Sequence, residues 1–162
     1  MKNLLLLLAA LILSLTFLFS CTKDKGTNPE LPFDDLSLLD SSKNSNYYYY
    51  KNKKDTIYSG SHGPHGTFKL RFNSKAFVAL TDSGRLPKGK KFAEGSFIVK
   101  DVYKNGNLYL YAYMFKRNGK WLWGEVEPSG NFHFKIKDGE KTCLGCHSQS
   151  GHRDNAVVFH FY

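Results

Sequence analysis

Apolar and polar positions alternate along much of the chain beyond Tyr47. In residues 67–73, TFKLRFN, the apolar Phe68, Leu70 and Phe72 point one way and Lys69 and Arg71 the other. That two-residue period predicts a strand with one face buried. The period returns in 96–103 (SFIVKDVY), 108–117 (LYLYAYMFKR), 121–127 (WLWGEVE) and 132–137 (FHFKIK). The connections KNGN, NGK and PSGN are turn sequences, and connections this short join antiparallel neighbours. In SKAFVALTDSG, Ala76, Phe77, Ala79 and Leu80 fall at helical spacing, and Gly84 would stop the helix. RLPKGKKFAEG reads as a turn-rich loop, and NAVVFHFY at 155–162 as a further strand candidate. The pattern predicts a mainly β (α+β) fold, an antiparallel sheet with a few short helices. No internal repeat is visible.

The first residues read differently. Lys2 precedes an apolar run from Leu4 to Phe19, broken only by Ser14 and Thr16. Its place at the start of the chain and its small-residue end predict a secretory signal over residues 1–20. Leu18-Phe19-Ser20-Cys21 resembles a bacterial lipobox, in which the cut precedes a cysteine that takes lipid; Phe19 is bulkier than usual there. The expectation is a lipoprotein anchored through Cys21 in the cell envelope, facing the periplasm or the cell surface. Residues 21–46 are polar and rich in Ser, Asn, Asp and Pro, which predicts a flexible tether, with PFDDLSLLDSS as a short helix inside it. The folded domain would then span 47–162.

Charge adds little beyond this. Twenty-three basic against fourteen acidic residues give a net +9, with local density in KNKK (51–54) and KGKK (88–91). Neither run sits on a nucleic-acid motif, and export argues against nucleic acid as a partner. What remains is a solvated basic surface, near anionic head groups or an acidic redox partner.

The candidate chemistry lies near the other end. TCLGCHSQSGH (142–152) holds two of the three cysteines and two of the six histidines. Cys143-x-x-Cys146-His147 has the spacing of a c-type haem attachment, with two thiols for the porphyrin vinyl groups and a histidine for the iron. A redox disulfide lacks the βαβ context such motifs accompany. A zinc site lacks a second Cys/His pair, with His152 alone as a further ligand. A structural disulfide leaves the adjacent histidine unexplained. One covalent haem c, with His147 on the metal, accounts for two cysteines, and lipid accounts for the third.

Five segments in order carry a resemblance: PHGTFKLRFNSKA, FAEGSFIVKD, YMFKR, KWLWGEVEPSG and CLGCHSQSGHRDNAVVF. From about Tyr58 to Phe159 the chain resembles the cytochrome P460 family, which includes the cytochromes c′-beta. Asp101 stands where the family usually has Glu, and DNAVVF is longer than the usual ending. The resemblance implies a curved antiparallel sheet with a few helices packed around one haem, five-coordinate with an open distal face. It implies a small diatomic or nitrogenous ligand such as NO, hydroxylamine or peroxide, with oxidation of hydroxylamine in some members. It also implies, in the P460 branch, a lysine linked to the porphyrin, for which Lys75 and Lys100 are the candidates. A redox partner protein is expected, and a homodimer is left open.

Around such a haem, Arg71 and Asp101 are candidates to donate or accept protons, and Phe68, Phe72 and Phe97 to wall a dry pocket. The competing reading for each is outward placement or core packing. Met114 is a candidate sixth ligand but equally a core filler. His62 and His65 flank a Gly-Pro turn, where histidine is ordinarily exposed. Two alternatives to turnover stay open: a six-coordinate electron carrier, and a gas-binding sensor or scavenger.

Overall fold

The computed structural model describes residues 34–60 and 64–157, apart from the side chains of 137–140. The apolar leader, Cys21, His62 and residues 158–162 of the closing strand candidate lie outside the described residues.

The fold is mainly β, a seven-stranded antiparallel sheet with a few short helices. Helix α1 spans Asp35–Ser42. Strands β1 (Tyr48–Tyr49) and β2 (Tyr58–Ser59) follow, then β3 (Thr67–Phe72) and helix α2 (Ser74–Phe77). Next come β4 (Phe97–Lys104), β5 (Asn107–Arg117), β6 (Lys120–Val126), β7 (Phe132–Phe134) and helix α3 (Ile136–His147). The order across the sheet is β1-β3-β4-β5-β6-β7, with β2 also paired to β3. The two long hairpins turn at Asn105-Gly106 and Asn118-Gly119, whose four φ angles are all positive (52°, 79°, 51° and 71°). Asn-Gly suits that geometry because both central residues of the tight hairpin turn must be left-handed.

Both faces of the sheet are covered. On one, Phe97, Val99, Tyr113, Phe115 and Val126 pack beneath Leu38 and Leu39 of α1. On the other, Phe68, Leu70, Phe72, Ile98, Met114, Trp121 and Trp123 pack beneath Leu86 and Phe92, with Cys143 and Leu144 of α3 against them. Ile136, at the start of α3, packs with the first cluster. The helix thus carries the chain from one face of the sheet to the other. Its first turn is held by Asp35, whose Oδ1 accepts from the Ile136 N–H at 3.0 Å.

Several details depart from the sequence pattern. The helix inside the expected tether is present, but Leu38 (0% exposed) and Leu39 (5%) belong to the core, so the folded body already includes Asp35. The helix after β3 is one turn only. Asn73 caps it, accepting from the N–H groups of Ala76 and of Phe97 at 3.0 Å each. Beyond it, Asp82 and Arg85 close a turn by mutual backbone hydrogen bonds, so Ala79 and Leu80 reach the core from a turn rather than a helix. The FHFKIK strand ends at Phe134, and Ile136 already belongs to α3. In the closing strand candidate, Ala156 forms an isolated bridge with Arg153.

Candidate functional site

Alternation and register build the floor of a cleft on the second face. Leu70 stands opposite Lys100, Lys100 opposite Ala112, and Ala112 opposite Glu125. The neighbouring row runs Ile98, Met114, Trp123. These residues, with His65 as a wall and Cys143, His147 and Val157 across from the sheet, line a cleft open to solvent. Ala112, the smallest side chain of its row, leaves the floor open between Lys100 and Glu125.

His147 is aimed from outside its own helix. Its Nδ1 lies 2.9 Å from the backbone oxygen of Asn155. A carbonyl can only accept, so Nδ1 carries the proton and Nε2 keeps its lone pair. Asp154 and Asn155 are both left-handed, at φ 52° and 58°. The Asp154 carboxylate accepts from Lys116 Nζ at 2.8 Å and from the Phe92 N–H at 2.8 Å, and its carbonyl accepts from Trp121 Nε1 at 2.7 Å. The imidazole meets Trp123 edge-on, ring centroids 4.4 Å apart.

The charged groups of the cleft are shaped by burial. Burial, then Lys100 and His147, holds His65 down to about 3. Burial lowers Lys100 to about 8 against the pull of Glu125, and Nζ lies 4.6 Å from the Phe68 ring centroid. Burial raises the Glu125 carboxyl, opposed by His133 and Lys100. Glu125 Oε1 is 3.7 Å from His65 Nδ1, an electrostatic contact too long for a hydrogen bond. His147 is lowered to about 4, chiefly by burial, and the Cys143 thiol is raised to about 11 for the same reason.

His65 makes the fold acid-sensitive. Unfolded, it takes a proton as pH falls through 6.5; folded, only near 3. Within that window the unfolded chain binds more protons, so stability is full above it and is lost as pH falls. Urea unfolding across pH 3–6.5 should show this slope, and His65→Phe should reduce it to the part that His147, lowered to about 4, contributes. An unchanged slope in the variant would assign the acid sensitivity to other groups.

The sequence candidates separate cleanly by face. Lys100, Met114, Cys143 and His147 line the cleft. Phe68 and Phe72 are fully buried in the core on that face, and Lys100 packs on Phe68. Cys146 is exposed. Phe97 packs on the opposite face, under α1. Arg71 and Asp101 also point that way. Their two-point ion pair (2.8 and 2.5 Å) is buried, and Arg71 donates to the carbonyls of Ser42 and Asn44 at 2.6 and 2.7 Å. They tie the end of α1 to the sheet rather than lining the cleft. Lys75 lies elsewhere, its Nζ 3.3 Å from the carbonyl of Glu94 and against Gly95. His65 lines the cleft despite its turn position. Glu125 and Trp123 complete the floor, although only the phase of β6 could have marked them.

Cys143 and His147, both lining the cleft, are the residues that could hold a covalent haem. One thiol of the motif lies in the cleft and the other is exposed three residues on. His147 has one ring nitrogen fixed by a carbonyl, as metal-binding histidines usually do. The Trp123 indole N–H is buried at the cleft without a hydrogen-bond partner among the described residues. Its burial leaves a donor for a group seated there. Comparison with protein-family models, with curated proteins and with solved structures finds no match to this chain, so its reading rests on its own residues.

Proposed function

We propose that this chain is an exported, lipid-anchored protein with one haem c, of the cytochrome P460 type, that binds or redox-converts a small nitrogen or oxygen species. The observation that carries the reading is His147: Nδ1 committed to Asn155, Nε2 left as a ligand, on the same helix end as the two thiols of C-x-x-C-H. Cys143 and Cys146 would hold the porphyrin through thioethers, and Cys21 would carry the lipid. Bound haem supplies one-electron chemistry and an open coordination position.

The residues of the cleft set access and proton supply. Leu70, Ile98, Ala112 and Met114 make an apolar floor, interrupted by Lys100 and Glu125, for a small nitrogen or oxygen species. His65 stays neutral near pH 7 and offers a ring nitrogen as acceptor. Burial raises the Glu125 carboxyl above its ordinary value, and Lys100 exchanges a proton near pH 8. The lysine link of the P460 branch would fall on Lys100, which lines the cleft, and not on Lys75. A free Lys100 would set the chain nearer the c′-beta branch.

Met114 favours a second reading, a six-coordinate electron carrier, because it too lines the cleft. The ferrous optical spectrum, with and without CO, separates the two. The expected result is a high-spin haem that binds CO and is nearly unchanged by Met114→Leu. A low-spin ferrous spectrum lost on Met114→Leu would establish the electron carrier instead.

A further inference from the structure

We propose that electrons enter or leave the haem site through the exposed loop at Lys88–Lys91, and that the partner docking there is an acidic one-electron carrier protein. The proposal rests on the haem reading above. Aromatic rings run without a break from the ligand histidine to that loop. His147 meets Trp123 at 4.4 Å, Trp123 meets Trp121 at 6.4 Å, and Trp121 meets Phe92 at 5.5 Å between ring centroids. Trp123, Trp121 and Phe92 are each 3% exposed. Phe92 directly follows Lys88, Lys90 and Lys91, which are all exposed.

Core aromatics commonly touch, but this chain of rings is also held rigid and ends at one place. Asp154 binds the Phe92 N–H, the Trp121 indole and Lys116 together. It is the residue beside Asn155, whose carbonyl fixes His147. Lys116 Nζ sits 4.9 Å over the Trp121 ring. A cation there makes removal of an electron from the indole costly, so the rings serve as a tunnelling medium rather than as sites of a stable radical. One electron crosses, and no bond forms or breaks; the carrier is reduced when the site is oxidised, and the reverse. At the surface the loop is cationic. The nearest acid in sequence, Glu94, is turned onto the N–H groups of Asn118 and Gly119 at 2.6 and 2.7 Å. A cationic port steers an acidic partner and raises its encounter rate.

The test uses reduced holoprotein in stopped flow at low salt, with hexacyanoferrate(III) as anionic oxidant and tris(phenanthroline)cobalt(III) as cationic oxidant. Lys90→Glu/Lys91→Glu should slow the anion about tenfold and speed the cation, with both effects fading at high salt. The same charge change at Lys69 and Lys104, at the other end of β4, should do much less. Phe92→Leu should slow both oxidants while leaving the optical spectrum intact. Equal responses from the two lysine pairs, or an unchanged rate in Phe92→Leu, would overturn the port. Loss of binding to phosphatidylglycerol vesicles in the loop variant, with unchanged oxidation rates, would overturn it in favour of a membrane contact. A chain without covalent haem would overturn both this proposal and the haem reading, whereas a haem-bearing chain without the charge response overturns this one alone.

Discussion

Asp101→Ala should destabilise the folded body by about 3–5 kcal/mol, the usual cost of stranding one member of a buried ion pair. That is a large share of the roughly 5–15 kcal/mol that holds a domain together. Arg71 is 4% exposed and Asp101 7%. The guanidinium spends its donors on both carboxylate oxygens and on the carbonyls of Ser42 and Asn44. Removing the carboxylate leaves a buried cation beneath α1 with only two neutral acceptors. Urea unfolding should show a lower midpoint at an unchanged slope. The double variant Arg71→Met/Asp101→Leu should lose less than Asp101→Ala alone, because no charge is left uncompensated. Covalent haem and the CO complex of the folded Asp101→Ala protein should be unaffected, since the pair faces away from the cleft. A change in ligand binding with unchanged stability would instead return Asp101 to a role in proton transfer.

The second large effect is on the cofactor. Cys143→Ser/Cys146→Ser, matured in a host with a working c-haem assembly system, should lose covalent haem completely, read by mass and by acid–acetone extraction. The fold should survive, because Cys146 is exposed and Cys143 half-buried, and an oxygen-for-sulfur exchange at such positions costs about 1 kcal/mol or less. Each single variant should retain one thioether. Haem that extracts freely from the native chain would remove the haem c reading.

Alternation made much of this legible. The phase of SFIVKDVY already set Lys100 apart from Phe97 and Val99, and the structure puts it on the cleft face while they lie under α1. The same logic failed for Arg71 and Asp101. Arg71, on the polar phase of TFKLRFN, reads as solvent-facing, and Asp101 interrupts the phase of Phe97 and Val99, but that face has its own cover. The cover came from Leu38 and Leu39, inside a stretch whose polar composition masked it. The helix bearing the haem motif was also hidden, because IKDGEKTCLGCH holds two glycines, a threonine and two cysteines, none a strong helix former. It is held by its ends, at Asp35 and in the apolar core. His65 could not be placed at all from sequence, since only the tertiary path of the chain brings it over the floor.

The turn at Asp154-Asn155 has a practical meaning for remodelling the protein. The direction of the His147 ring is set by a carbonyl whose neighbour is fastened to β5, β6 and the loop before β4. The helix supplies the histidine, but the sheet sets its bearing. Exposed positions of α3 other than Cys146, such as Lys141, are therefore open to redesign, for solubility or for a new partner, without re-aiming His147. The two-residue turn is the part to leave alone, even though neither of its residues lines the cleft.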